Sequence, residues 1–252
     1  MDKALRFTDR VLAVTGGGSG IGEATVRKLT EDGANVVIAD VDDAGGKRVA
    51  AETNDAGGHA AFVNVDVSRE PDADTLVRFA LDTFGRFDGA VNNAGVGGPV
   101  QRIHQLNTGA WDRVQGIDLR GLFFCMRAEL KHFLSSGGGV IVNTASVAGL
   151  KAVPGQGAYV AAKHGVIGLT KQAAIEYVTD NIRVNAVAPG AVATPLVFRS
   201  RPEDAHEPHS IQPGGRLAEP VEIANAIAWL LSDEASFVSG ETLLVDAALV
   251  QK

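Results

Sequence analysis

Seven short apolar, β-branched runs punctuate the chain. They are RVLAVT from Arg10, NVVIAD from Asn35, AAFVNVD from Ala60, FDGAVNN from Phe87, GVIVNTA from Gly139, NIRVNAVAP from Asn181 and ETLLVD from Glu241. Most are apolar at consecutive rather than alternate positions, the pattern of parallel strands covered on both faces. Between them, apolar residues recur every three or four positions in stretches such as ATVRKLTED, PDADTLVRFALDTFG and PVEIANAIAWLLSD, which read as amphipathic helices. Pro220 opens the last of these, at the first helical position, where a missing N–H costs nothing. No repeat or dividing linker interrupts the alternation. It predicts an α/β protein: one doubly wound domain over residues 1–252, with a seven-stranded, mostly parallel sheet and helices on both faces.

The helical period fails in TPLVFRSRPEDAHEPHSIQPGGRLAEP, about residues 194–220. Loops of that length inside a compact domain are usually lids or binding loops. This one follows a strand whose C-terminal end is where such sheets hold ligands, so it reads as a substrate lid.

Directly after the first strand comes TGGGSGIG, Thr15 to Gly22, running into a helix. Its spacing is G-x-x-x-G-x-G on Gly16, Gly20 and Gly22, not G-x-G-x-x-G, but the physics is shared. Glycines permit a tight turn and close backbone approach, and the helix N-terminus offers N–H groups to a pyrophosphate. Asp40, at the end of the second strand and 18 residues past Gly22, is placed to accept from an adenosine ribose hydroxyl. Strand, glycine turn, helix and acid together predict a dinucleotide site.

Composition narrows the remaining choices. The chain has 252 residues, a net charge of −7 without a basic block, one cysteine and 30 glycines spread along its length. Nucleic acid is not the expected partner, and no apolar run is long enough for a membrane span. The charged opening MDKALRFTDR lacks the apolar core of a secretory signal. A single Cys125 excludes an internal disulfide and suits a reducing cytoplasm; its neighbours FFCM read as a buried helix face. His206 and His209 lack a third partner for a metal, so no metal site is expected.

Residues 159–163 read YVAAK. On a helix, Tyr159 and Lys163 share a face, about 5–6 Å apart at Cβ, and an ammonium beside a phenol favours the phenolate. The same four-residue spacing also occurs where an aromatic packs inward and a lysine faces water, so the motif alone leaves both readings open.

The ordered set of motifs decides between them. TGGGSGIG, Asp66-Val67, NNAG at Asn92 to Gly95, Ser146, YVAAK and PGAVATP from Pro189 to Pro195 resemble those of the short-chain dehydrogenase/reductase family, with Ser146 13 residues before Tyr159 as that family has it. The resemblance runs over essentially the whole chain and implies a Rossmann domain using a nicotinamide cofactor. NAD(H) is expected over NADP(H), because Asp40 would repel a 2′-phosphate and the glycine loop has no Lys or Arg to receive one. The resemblance implies a hydride transferred to or from a secondary alcohol or ketone, with Tyr159 as acid/base, Ser146 holding the reacting oxygen, and Lys163 holding the nicotinamide ribose and lowering the pKa of Tyr159. It also implies cofactor contacts at Gly16, Ser19, Gly20, Ile21 and Gly22, at Asp40, Asp66 and Val67, and at Asn92, Asn93, Ala94 and Gly95. Tyr159, Lys163, Pro189, Gly190, Val192 and Thr194 complete that set, and a homo-oligomer, a tetramer, is implied as well.

Two departures stand out. Asp118, in WDRVQGIDLRG, occupies the place of the family's fourth catalytic residue, an Asn; and Asp246-Ala247-Ala248 replaces a frequent DGG. A nucleotide-binding regulatory member without turnover, and a nicotinamide-using epimerase or dehydratase, are the alternative functions. The expected substrate pocket draws on GVGGPV, LKAVPGQG and the front of the lid, LVF, with Gly97, Val153, Gln156 and Leu196 as contacts. Small and apolar residues dominate there, which predicts a modest, uncharged alcohol or ketone.

Overall fold

Each of the seven apolar runs forms a strand, and the pairing between strands follows from their burial. The computed structural model describes residues 5–200 and 212–251. Its strands are β1 (Val11–Thr15), β2 (Asn35–Asp40), β3 (His59–Asn64), β4 (Gly89–Asn92), β5 (Gly139–Thr144), β6 (Ile182–Pro189) and β7 (Thr242–Val245). They form one sheet in the order β3-β2-β1-β4-β5-β6-β7, and all six pairings are parallel. Successive side chains alternate between two hydrophobic layers. Val11 and Ala13 join one layer with Leu76, Phe133 and Val166; Leu12 and Val14 join the other with Val26, Leu29 and Ile227.

The helices are α1 (Gly20–Glu31), α2 (Asp43–Asp55), α3 (Glu70–Phe84), α4 (Thr108–Val114), α5 (Leu122–Ser136), α6 (Gly157–Tyr177), α7 (Pro195–Ser200) and α8 (Pro220–Leu231). α8 begins at Pro220, and its N-terminus is closed reciprocally, the Glu219 amide donating to Glu222 Oε2 at 2.8 Å. Cys125 is buried on α5, as its neighbours suggest, but Phe123 of the same run is 41% exposed. No described helix is long and apolar enough to cross a membrane.

Two features differ from the pattern read in the sequence. The long irregular segment opens with a helix, α7, too short to display a period. Its centre, with His206 and His209, lies outside the described residues. In addition, α4 and α5 are not separate rods: Gln115–Gly121 continues between them as a π-helical turn. One extra residue per turn re-aims the side chains that follow it, and Asp118 sits in that turn.

Candidate active site

The strand order reverses between β1 and β4: the chain winds outward through β2 and β3, then returns to the other side of β1. The carboxyl ends of the strands open a crevice at that switch, and the glycine loop lies along it. Gly16 and Gly20 adopt positive φ, 64° and 56°, a conformation that side chains resist. Gly22 is needed for proximity instead, since a Cβ there would lie 2.0 Å from the Gly16 carbonyl oxygen. The cleft beside the loop encloses about 350 Å³ and is lined by Gly16, Ser19, Gly20, Ile21, Asp40, Asp66, Val67, Asn93, Ala94, Gly95 and Thr194. Gly22 lies behind this surface, bracing the turn.

Asp40 fixes the loop it faces: Oδ2 accepts from the Gly18 amide and Oδ1 from the Asp42 amide, each at 2.9 Å. A carboxylate has about four acceptor positions, so both oxygens keep capacity for a ribose hydroxyl. Arg48, on α2, donates to the Gly18 carbonyl of the loop at 3.3 Å. It bonds Glu23 at 2.7 Å and Glu52 at 3.0 Å, and these contacts hold the Glu23 carboxyl below its ordinary range. Among the described lining residues the one cation is Arg199, from α7. Nothing in the sequence pattern signalled it.

Asn92 stands apart from the rest of its run. β4 turns its side chain into the core, where its amide donates to Glu129 Oε2 at 3.0 Å and Asn143 Oδ1 at 3.1 Å. Only Asn93, Ala94 and Gly95 of that run face the cleft. Burial pushes Glu129 up to about 8, and its Oε1 has no partner among the described atoms.

Where the cleft deepens, three elements converge. Ser146 follows β5 and heads a 3-10 turn, Val147–Gly149, its Oγ accepting from the Ala148 amide at 3.1 Å. Gly149 then lies directly on α6, where a Cβ would come within 2.6 Å of the Lys163 carbonyl oxygen. That approach brings the Ser146 loop to the helix face bearing Tyr159 and Lys163. Ser146 and Tyr159 line the same recess. The Lys163 ammonium, on a residue 3% exposed, donates to the Thr144 carbonyl at 3.0 Å and lies 5.4 Å from the Tyr159 ring centroid.

Asp118 closes the group. Its Oδ1 accepts from the Val96 amide at 2.8 Å, and Oδ2 stands 3.6 Å from Lys163 Nζ with no other partner among the described atoms. Burial raises the Asp118 carboxyl above its usual range, against the pull of Lys163. Burial likewise raises the Tyr159 phenol. Lys163 and the neighbouring Ser146 hydroxyl work to lower it, and Asp118 raises it further. Lys163 therefore acts in the expected direction, but desolvation outweighs it. Pro189, Gly190, Val192 and Thr194 line the same recess as Ser146, Tyr159, Lys163 and Asp118.

A second cavity, about 170 Å³, opens on the other side of Ser146 and Tyr159 and includes Gly97, Val153, Gln156 and Leu196. The Gln101 amide donates to the Gly155 carbonyl at 2.9 Å, which ties the two loops forming this wall together. Val197, from the LVF stretch, lines it as expected; Val147, Ala148 and Leu249 also line the cavity and were not expected. The described lining contains no Lys, Arg or His.

Comparison with known proteins agrees with this arrangement. Residues 16–249 match a family model described as enoyl-(acyl carrier protein) reductase. The chain is 42% identical to cyclohexanol dehydrogenase of Acinetobacter sp. (strain SE19), over 98% of this chain and 97% of that protein. It is 40% identical to levodione reductase of Leifsonia aquatica, over 96% and 94%. The crystal structure of levodione reductase superposes with a TM-score of 0.94 at 39% identity, covering 98% of this chain and 99% of that one. A 3-ketoacyl-(acyl-carrier-protein) reductase from Brucella melitensis, complexed with NADH, gives 0.90 at 38% identity, over 97% and 99%. With its parallel sheet, glycine cradle and Ser–Tyr–Lys recess, the chain belongs to the short-chain dehydrogenase/reductase family of nicotinamide-dependent oxidoreductases.

Proposed function

We propose that the protein interconverts a compact alicyclic secondary alcohol and its ketone, using NAD(H). The observation that carries this reading is the convergence of Ser146, Tyr159 and Lys163 between a dinucleotide-sized cleft and a small apolar cavity. The cavity's 170 Å³ is below the roughly 300–1,000 Å³ of sites for drug-sized ligands, and its uncharged walls favour a ring bearing little beyond its hydroxyl. Cyclohexanol, the substrate named for one relative, has that form.

When bound, the nicotinamide supplies the carbon that takes or gives the hydride. Ser146 donates to the reacting oxygen and Gln156 offers a second polar contact. Tyr159 takes the hydroxyl proton during oxidation and returns it during reduction. Lys163, with its ammonium fixed on Thr144, stabilises the phenolate and holds the nicotinamide ribose. The N-terminus of α1 and Arg199 favour the pyrophosphate. Asp40 and Asp42 face the adenosine end, where they welcome a ribose diol and repel a 2′-phosphate. The glycine loop carries no Lys or Arg to receive one, which favours NAD(H) over NADP(H). The reading includes a homo-oligomer, by family resemblance a tetramer.

A panel of cyclic and open-chain alcohols, assayed with each cofactor by nicotinamide absorbance, tests it. Turnover of cyclic alcohols with a higher kcat/KM for NAD than for NADP is expected. Equal or better use of NADP overturns the cofactor assignment. An idle protein favours the non-catalytic alternative.

A further inference from the structure

The last turn of the chain reaches the substrate cavity from the far end of the sequence. After β7, Ala247 and Ala248 take φ values of 46° and 64°, the left-handed region that glycine enters freely and alanine resists. Strain of this kind persists only where surrounding contacts over-determine it, and here they do. Asp246 Oδ1 accepts from the Ala248 amide at 3.0 Å and Oδ2 from the Val250 amide at 2.8 Å. The turn delivers a short 3-10 segment, Leu249–Gln251, in which Leu249 joins the wall of the cavity that contains Ser146 and Tyr159. The Leu249 carbonyl then accepts a hydrogen bond from Lys151 Nζ at 3.0 Å, a contact spanning 98 positions.

Lys151 lies in the segment joining Ser146 to Tyr159, so the tail is fastened to the loop that carries the catalytic group. The contact also commits a cation beside the cavity to a backbone oxygen. Together, a strained turn, a carboxylate that caps it and an ammonium that anchors it hold Leu249 in the cavity wall, alongside Val147, Val153, Leu196 and Val197.

We propose that Leu249 is a specificity-determining residue that limits the size of the ring substituent, and that Lys151 is the positioning residue holding it there. The proposal rests on the reading of this cavity as the alcohol site. Leu249 excludes rings substituted away from the carbinol carbon by occupying the space they would need. Lys151 acts only through the tail.

The experiment compares kcat/KM for cyclohexanol and for 4-tert-butylcyclohexanol in the parent, Leu249→Ala, Lys151→Met and Lys151→Arg, with NADH titration and a thermal melt of each. Several methyl groups of pocket space are at stake, so Leu249→Ala should move the ratio by about tenfold or more toward the bulky alcohol. Lys151→Met should move it the same way by less, and Lys151→Arg should keep the parent's ratio, while NADH affinity stays at the parent's value throughout. A ratio within about twofold of the parent's in both Leu249→Ala and Lys151→Met overturns the proposal, as does an equal loss of activity on both alcohols. A parent idle on every cyclic alcohol overturns the alcohol reading and this proposal with it, whereas an active parent with a fixed ratio overturns this proposal alone.

Discussion

Asp118 is the residue whose chemistry differs most from what its neighbours would ordinarily meet. A carboxylate oxygen 3.6 Å from Lys163 cancels part of the field with which the ammonium favours the Tyr159 phenolate, and its charge raises the phenol directly. Unit charges about 4 Å apart at an effective dielectric near 20 interact by about 4 kcal/mol, so a screened fraction of that is kinetically visible. Removing the charge in Asp118→Asn lowers the pKa of Tyr159. The acidic limb of kcat/KM for alcohol oxidation should then move to lower pH; an unmoved limb would make the substitution structural only. At this scale the Tyr159–Lys163 pair and Ser146 were legible because their relation is local or fixed by ordered motifs. Asn92 was not, because a strand sends neighbouring side chains to opposite faces and the motif does not say which face meets the cleft. Leu249 was invisible for another reason: its anchor, Lys151, is 98 positions away.

Among the elements, the strands were legible because continuous apolar runs leave little choice for segments buried on both faces. The π-helical turn at Gln115–Gly121 was not, since one additional residue hardly disturbs a hydrophobic period. α7 is too brief to show a period at all. α6 carries a consequence of its composition: small and apolar residues surround it almost completely, and one face covers the sheet. Ile175 stays 76% exposed, and Phe123 and Leu134 of α5 are 41% and 49% exposed. The groove between the two helices is lined by Met126, Leu130, Leu169 and Tyr177. Apolar surface of this kind is normally covered, and a second copy of the chain is the proposed cover. Light scattering at micromolar concentration should give a multiple of the 26.2 kDa chain mass; a monomer mass would refute the oligomer.

For the whole molecule, alternation along the sequence implied a doubly wound sheet, but the strand order and the switch between β1 and β4 emerge only from the pairing. The buried network under that switch was hidden too, because no local pattern pairs Glu129 with Asn92, 37 positions away. Its carboxyl keeps a proton to about pH 8 in the folded protein, whereas the unfolded chain releases it in the ordinary carboxylate range. Between those limits the folded state binds more protons, so this group's contribution makes stability fall as pH rises. Glu129→Gln does not titrate. Its melting temperature relative to the parent's should climb between about pH 5 and pH 8, by several degrees in total. A pH-independent difference would show that Glu129 is already ionised in the fold.

The central claim is that Tyr159 moves the proton of an alcohol substrate, and the most direct measurement is cyclohexanol-dependent NADH formation in the parent and in Tyr159→Phe, with NADH binding titrated in both. Phenylalanine retains the ring and loses the hydroxyl that carries the exchangeable proton. The account predicts a loss of about a hundredfold or more in kcat, with NADH affinity nearly unchanged. A variant that keeps most of the parent's turnover would contradict it.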